Sequence, residues 1–326
     1  MKELYGWEDG DEVLVPSVTF VASANVVIQN RLRPVFVDVE PVYYEIDPHL
    51  IPERITARTR AIMPVHLFGQ PCDMDPIVQH ARERGLYIIE DSCETMFAKY
   101  KGLPVGSWGE VACFSTYAAH VIVTGVGGLA LTDNPALAIL NKSLANHGRE
   151  GIYISMDDDD VEDRGELLRI VERRFSFDYV GYSYRATELE AAIGVAQLEH
   201  REEIVAIRQR NAAYLTRNLS SLDDYIQLPS IRPETEHVFM MYPIVVREGA
   251  PARDSLIFFL EERGIETRYM LPLLNQPAYR KVFGNLEEEY QVARMINRQG
   301  FYIGCHPGMS WEDLAYIVAT FHEFYS

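Results

Sequence analysis

Cysteine is scarce and scattered in this chain. Cys72, Cys93, Cys113 and Cys305 are its only four, with no C-x-x-C pair among them; that argues against a zinc site or disulfide framework and points to a reduced protein with buried thiols. Positive charge is short as well. Thirty Lys and Arg face 48 Asp and Glu, a formal net charge of −18, so the basic stripe that a nucleic-acid partner needs is missing. A small anionic substrate, which requires only a few local arginines, stays open. No apolar run approaches a membrane span. Met1-Lys2-Glu3-Leu4-Tyr5-Gly6-Trp7-Glu8-Asp9 lacks the basic-then-apolar order of a secretory leader, so a cytoplasmic location without membrane contact is expected. No internal repeat is visible.

What is present is an ordinary globular composition, 48% hydrophobic and 24% charged over 326 residues. At about 150 residues per domain, one large and one smaller domain fit. From Asp11 onward, short near-continuous apolar runs alternate with helical segments: Val13 to Pro16, helix Ala22 to Ile28, Pro34 to Val39, Ala61 to Leu67. That pattern predicts an α/β fold with a mainly parallel sheet covered on both faces. Asp75 and Pro76 open a helix that Gly85 ends, and strand Leu86 to Ile89 then delivers Glu90 and Asp91 to its carboxyl end, the edge where such sheets bind ligands. Pro135 to His147 reads as a helix. The acidic run Met156 to Asp163 lacks the glycine and spacing of a calcium loop and reads as a solvated loop. Thr187 to Leu219 keeps helical spacing throughout, predicting one long helix. The expected division is a large cofactor-binding domain over 1–185, a connecting helix over 186–220 and a small α/β domain over 221–326. In the last domain a strand Val238 to Val246 is expected, and Ser310 with Asp313 forms a capping box before the stripe Leu314, Ile317, Val318, Phe321.

The chemistry gathers around Cys113 to Gly128. A buried strand leads into a polar turn with Ser115 and His120, and the run Gly125-Val126-Gly127-Gly128 follows. Glycine permits positive φ and close approach, and a hydroxyl beside free amides suits a phosphate. Locally, a glycine-rich hairpin between core strands explains the stretch equally well. The run is not G-x-G-x-x-G and lies late in the chain, which disfavours a dinucleotide dehydrogenase.

Several blocks decide the matter together: Asp11-Glu12-Val13-Leu14-Val15-Pro16-Ser17-Val18-Thr19-Phe20, Pro34 to Val39, Pro64-Val65-His66-Leu67-Phe68-Gly69-Gln70, Ile89-Glu90-Asp91, Gly125 to Gly128, and Ala191 to Leu198. In this order they resemble the DegT/DnrJ/EryC1/StrS sugar aminotransferases. The resemblance implies the aspartate-aminotransferase (type I) fold, pyridoxal 5′-phosphate (PLP) or its amine form PMP as cofactor, a nucleotide-linked keto sugar as substrate in surface-polysaccharide biosynthesis, and a homodimer with shared sites. By the same resemblance Asp91 bonds the pyridine nitrogen, Phe20 stacks on the ring, Ser115 holds phosphate, and Glu94 lies near the ring's 3-oxygen. On residues alone Asp91 also reads as a helix cap, Phe20 as core and Glu94 as a surface acid on a helix. Ser183 replaces the asparagine that reaches the partner subunit's phosphate in the family pattern. Relatives carry several dozen residues ahead of the Asp11 block, including a phosphate-binding turn, so a missing start is expected.

The main departure is His120. Five residues after the phosphate serine, the aminotransferases carry their Schiff-base lysine; a histidine has no primary amine, yet it titrates near neutrality and suits proton transfer. Lys2, Lys99, Lys101, Lys142 and Lys281 all lie outside the motif. Histidine here resembles the nucleotide-sugar 3-dehydratases, in which PMP condenses with a 4-keto sugar, the histidine moves a proton, and the C3 hydroxyl leaves. The cysteine cluster of their iron–sulfur branch is not found. Two alternatives stand beside this one: an aminotransferase with an atypical site, and a non-catalytic relative serving as a binding or dimerisation subunit. His147, Arg149, Arg268 and His306 are read either as lining the sugar site or as structural hydrogen-bonding residues.

Overall fold

Strands apolar on both faces can only be central, and the first one is: β1 (Glu12–Pro16) is buried at all five positions. The computed structural model describes residues 1–150, 163–173 and 175–326. β1 is flanked by β2 (Arg33–Val37) and β3 (Thr59–Ile62), and the sheet continues through β4 (Tyr87–Asp91), β5 (Val111–Ser115) and β6 (Gly128–Leu131) in the order β2-β1-β3-β4-β5-β6. The first five strands run parallel, and β6 is antiparallel to β5. Helices α1 (Val21–Gln29), α2 (Met74–Arg84) and α3 (Pro135–Ala145) come from this half of the chain. Parallel neighbours need crossovers, so their carboxyl ends share one edge.

The chain's punctuation mostly acts as read. Gly85, in the left-handed conformation at φ 64°, ends α2. Asp73, however, takes the N-cap position expected of Asp75, which sits in the first turn and pairs with Lys101 at 2.6 Å. The strand expected through Leu67 stops at Ile62, because Pro64 has no N–H to give the ladder.

A second sheet, all antiparallel, consists of β7 (Ile226–Gln227), β8 (Met241–Val246), β9 (Thr267–Tyr269) and β10 (Gly300–Gly304) in the order β9-β10-β8-β7. The helix expected as one piece over Thr187 to Leu219 is two, α4 (Glu188–Glu199) and α5 (Arg201–Leu219), turning at His200. The two segments serve different neighbours. α4 has no buried residue, whereas α5 sinks Ala212, Leu215 and Leu219 into the second core. There it meets α6 (Arg253–Glu261) and α7 (Trp311–Tyr325); α7 is opened by the Ser310/Asp313 capping box as the sequence indicates, and it buries Leu314, Ile317 and Phe321.

The two halves of the chain are joined backbone to backbone. Gly69 accepts at its carbonyl from Val238 N–H at 2.9 Å, and a Cβ there would lie 2.6 Å from Phe239 N and 2.8 Å from Met240 N. Its φ of +103° is a second reason for glycine. Phe239 itself has φ 47°, so β8 begins only at Met241, three residues after the expected start. Further on, Met270, Leu273, Tyr279, Tyr290 and Ile296 return to pack in the core of the first sheet. Of the acidic run, all but Asp163 lies outside the described residues. Among those described, no helix is long and apolar enough to cross a membrane.

Candidate active site

Three strands end at one edge. Phe20 follows β1 at the N-cap of α1, Asp91 is the last residue of β4, and Ser115 is the last of β5. Asp91 pairs in register with Cys113, so Ser115 stands two residues, about 7 Å, farther along.

The pleat of β4 gives its two acids opposite tasks. Glu90 is fully buried and accepts from Gly106 N–H (2.6 Å), Trp108 N–H (2.7 Å) and Gly109 N–H (2.6 Å), with His66 Nε2 at 3.2 Å. His66 Nδ1 accepts from Cys72 N–H at 3.0 Å, which assigns the hydrogen on this ring to Nε2. Burial pushes the Glu90 carboxyl up, but His66 and the amides outweigh it and hold its pKa below the ordinary value. Asp91 faces the other way. Its Oδ2 accepts from Ser23 Oγ at 2.7 Å and its Oδ1 from Cys93 N–H at 3.2 Å, and Ser23 Oγ lies 2.9 Å from Thr19 Oγ1. Ser23 was not singled out from sequence; its one signal is a place on the first turn of α1, three residues after Phe20.

His120 is brought to the same edge. Burial, aided by the charge of Arg208, lowers its pKa below 6.5 against the opposing pull of the Cys93 backbone and the Asp91 carboxylate. The ring is therefore neutral at pH 7. Among the described residues its buried Nδ1 has no hydrogen-bond partner. The imidazole borders a cavity of about 860 Å³ lined also by Gln197, Arg208, Arg268, Tyr302 and His306. Arg268 and His306 thus share the cavity with His120. His147 and Arg149 do not line it; His147 Nε2 is 3.3 Å from Arg185 Nη2. Arg208, which sequence reading missed, is buried with Nη1 donating to the carbonyls of Met240 (2.9 Å), Cys305 (3.0 Å) and Phe239 (3.3 Å).

Glu94 is not the surface helix acid of the alternative reading: it is buried, outside any helix, and accepts from Phe68 N–H at 2.7 Å. Burial, with the charge of Asp91 added, pushes its pKa up to about 7, although the Phe68 amide pulls the other way. Phe20 is 59% exposed rather than core. Ser115 Oγ accepts from Tyr117 N–H at 3.2 Å. Ser183 stands elsewhere: it bridges Asn146 beyond α3, is exposed, and accepts from Arg185 Nη2 at 3.3 Å.

A carboxylate at a strand end, an exposed aromatic face and a hydroxyl near turn amides are the residue types a flat pyridine ring bearing a phosphate needs; of the predicted site residues, His120 lines the cavity, and Phe20, Asp91, Glu94, Ser115 and Ser183 are not among its lining residues. Comparison with known proteins points the same way. The family model described as the DegT/DnrJ/EryC1/StrS aminotransferase family matches residues 1–322. A GDP-perosamine synthase of Caulobacter vibrioides is 36% identical over 316 residues, covering 96% of this chain and 79% of its own length. A dTDP-4-dehydro-2,6-dideoxy-D-glucose 3-dehydratase of Saccharopolyspora spinosa is 32% identical over 323 residues, 97% of this chain and 70% of that one. Among solved structures, the E. coli GDP-4-keto-6-deoxy-D-mannose-3-dehydratase with bound hydrated PLP is similar at a TM-score of 0.84 and 25% identity, over 96% of this chain and 80% of that one.

Proposed function

Because this chain belongs to the DegT/DnrJ/EryC1/StrS aminotransferase family, we propose that it is a PLP/PMP enzyme of nucleotide-sugar biosynthesis that removes the C3 hydroxyl of a 4-keto-6-deoxy sugar nucleotide, with His120 as base. The observation that carries this reading is a neutral imidazole that borders a large cavity and lies within the field of Asp91.

When bound, PMP supplies an amine for the sugar ketone and a ring that takes up electrons. Asp91 would hold the ring nitrogen, its position fixed by Ser23 and the Cys93 amide. Phe20 would cover one ring face, Ser115 would take a phosphate oxygen, and Glu94 would meet the 3-oxygen. His120 would take up on its imidazole the proton released from the amine-bearing carbon of the bound cofactor and give it to the C3 oxygen, which leaves as water. Arg268 and His306 contact the sugar nucleotide from the second lobe. The active unit is a homodimer, a reading supported by the exposed apolar residues on α4 and on β6: Leu189 is 77% exposed, and Leu129 and Leu131 are each 51% exposed. Ser183 would reach the partner's site across those residues.

Aminotransfer to C4 is the second reading, favoured by the likeness to GDP-perosamine synthase. Incubation with PMP and GDP-4-keto-6-deoxy-D-mannose separates the two by product mass. Loss of the C3 oxygen is expected. His120→Asn lowers the rate by about 10²- to 10⁴-fold, and borohydride labels no lysine. A product that gains an amino group and keeps its C3 oxygen overturns the dehydratase.

A further inference from the structure

The turn that carries His120 is closed by a pair of threonines. Thr116 Oγ1 and Thr124 Oγ1 are 2.7 Å apart, and Thr124 Oγ1 also lies 2.8 Å from the Val126 carbonyl. A hydroxyl has one hydrogen to give. Thr124 spends it on Val126, so Thr116 must donate to Thr124, and neither oxygen is left over. The backbone closes at the same place, with Thr124 N–H donating to the Thr116 carbonyl at 2.8 Å and Thr116 N–H to the Gly127 carbonyl at 3.1 Å. Both threonines are buried, at 6% and 9% exposure, and a Cβ at Gly127 would lie 2.8 Å from Thr116 Oγ1. Inside the loop, His120 N–H donates to the Tyr117 carbonyl at 2.9 Å, and Val121 and Ile122 are sunk in the core with Met96 and Phe114. From outside, α4 leans on the clasp: a Cβ at Gly194 would lie 3.1 Å from Thr124 Cγ2.

We infer that Thr124, clasped to Thr116, is a positioning residue that holds the His120 imidazole in the cavity wall in its catalytic orientation. The inference rests on His120 being the base. The hydroxyl pair fixes where the loop begins and ends, and Val121 and Ile122 fix its depth, so the ring has one place to stand. The groups facing that ring are the Asp91 carboxylate, the Cys93 backbone and the Arg208 guanidinium.

Thr124→Val keeps the shape and deletes the clasp; Thr124→Ser keeps the hydroxyl. Two readouts on the full-length protein decide. In an NMR titration of ¹³C-labelled histidine, with the His120 signal assigned through His120→Asn, Thr124→Val moves the imidazole up toward 6.5 while Thr124→Ser and the wild type stay together below it. In turnover of GDP-4-keto-6-deoxy-D-mannose with PMP, Thr124→Val lowers kcat by about 10- to 100-fold with KM unchanged, and serine rescues it. Thr116→Val gives the same titration shift and serves if Thr124→Val does not fold. A Thr124→Val protein whose His120 titrates as in the wild type, or a serine variant that behaves like valine, overturns the inference. If His120→Asn turns over as fast as the wild type, the base assignment falls instead, and the titration still reports whether the clasp sets the ring.

Discussion

At the scale of single residues, the informative pair is Glu94 and His120, whose surroundings push an acid up to about 7 and a base down below 6.5. His120 loses its proton below pH 6.5 and Glu94 keeps its own up to about pH 7. Turnover is therefore expected to rise with pH as His120 becomes free and to fall as Glu94 ionises. Glu94→Gln, which keeps an acceptor for the Phe68 amide, should retain the rising limb and lose the falling one in a kcat/KM profile. Stability follows the same group. A carboxyl raised from 4.5 to about 7 contributes fully below pH 4.5 and loses that contribution as pH rises through 7. At pH 8 Glu94→Gln should then be more stable than the wild type by about 3 kcal/mol in urea unfolding, with no difference below pH 4.5. The placement of Asp91 and Ser115 at strand ends was legible because short apolar runs along the chain mark the strands that carry them. The burial of Glu94 was not, since Glu-Thr-Met-Phe carries no periodicity that tells a buried turn from a surface helix. Ser23 and Arg208 were hidden for a related reason: each acts through a partner far away in sequence.

Elements show where local signals suffice. α2 and α7 could be read from Gly85 and from the Ser310/Asp313 capping box, because a cap is a contact between near neighbours. The turn at His200 could not, since no glycine or proline marks it and it shows only in burial: α5 enters the second core, while α4 buries none of its residues. β4 carries the sharpest prediction at this scale. Glu90 ties the strand to His66 and to three amides of the segment leading into β5. Glu90→Gln places an amide where acceptors are needed and should cost about 2–4 kcal/mol. The check is thermal unfolding beside PMP binding by absorbance: the melting temperature falls, while any PMP bound by the folded fraction keeps wild-type affinity, because Glu90 points away from the cofactor edge.

For the whole molecule, composition gave the charge and the absence of a spanning segment, but the exposed apolar residues could be seen only once the helices were placed. If the active unit is the proposed homodimer, the wild type is expected to sediment as a dimer in analytical ultracentrifugation, Leu189→Glu together with Ile193→Glu should leave a folded monomer, and turnover should drop with dimer content. A folded, fully active monomer would refute the shared site. The meeting of Gly69 with Phe239 and Met240 has a wider result. Lobes that touch through side chains can slide or swing, but two main chains so close that a Cβ at Gly69 would collide with the Phe239 and Met240 nitrogens, joined by a hydrogen bond from the Val238 N–H to the Gly69 carbonyl, resist hinging there. Sugar must therefore enter by rearranging surface segments around a rigid frame, and heating should reveal one calorimetric endotherm, not two melting bodies.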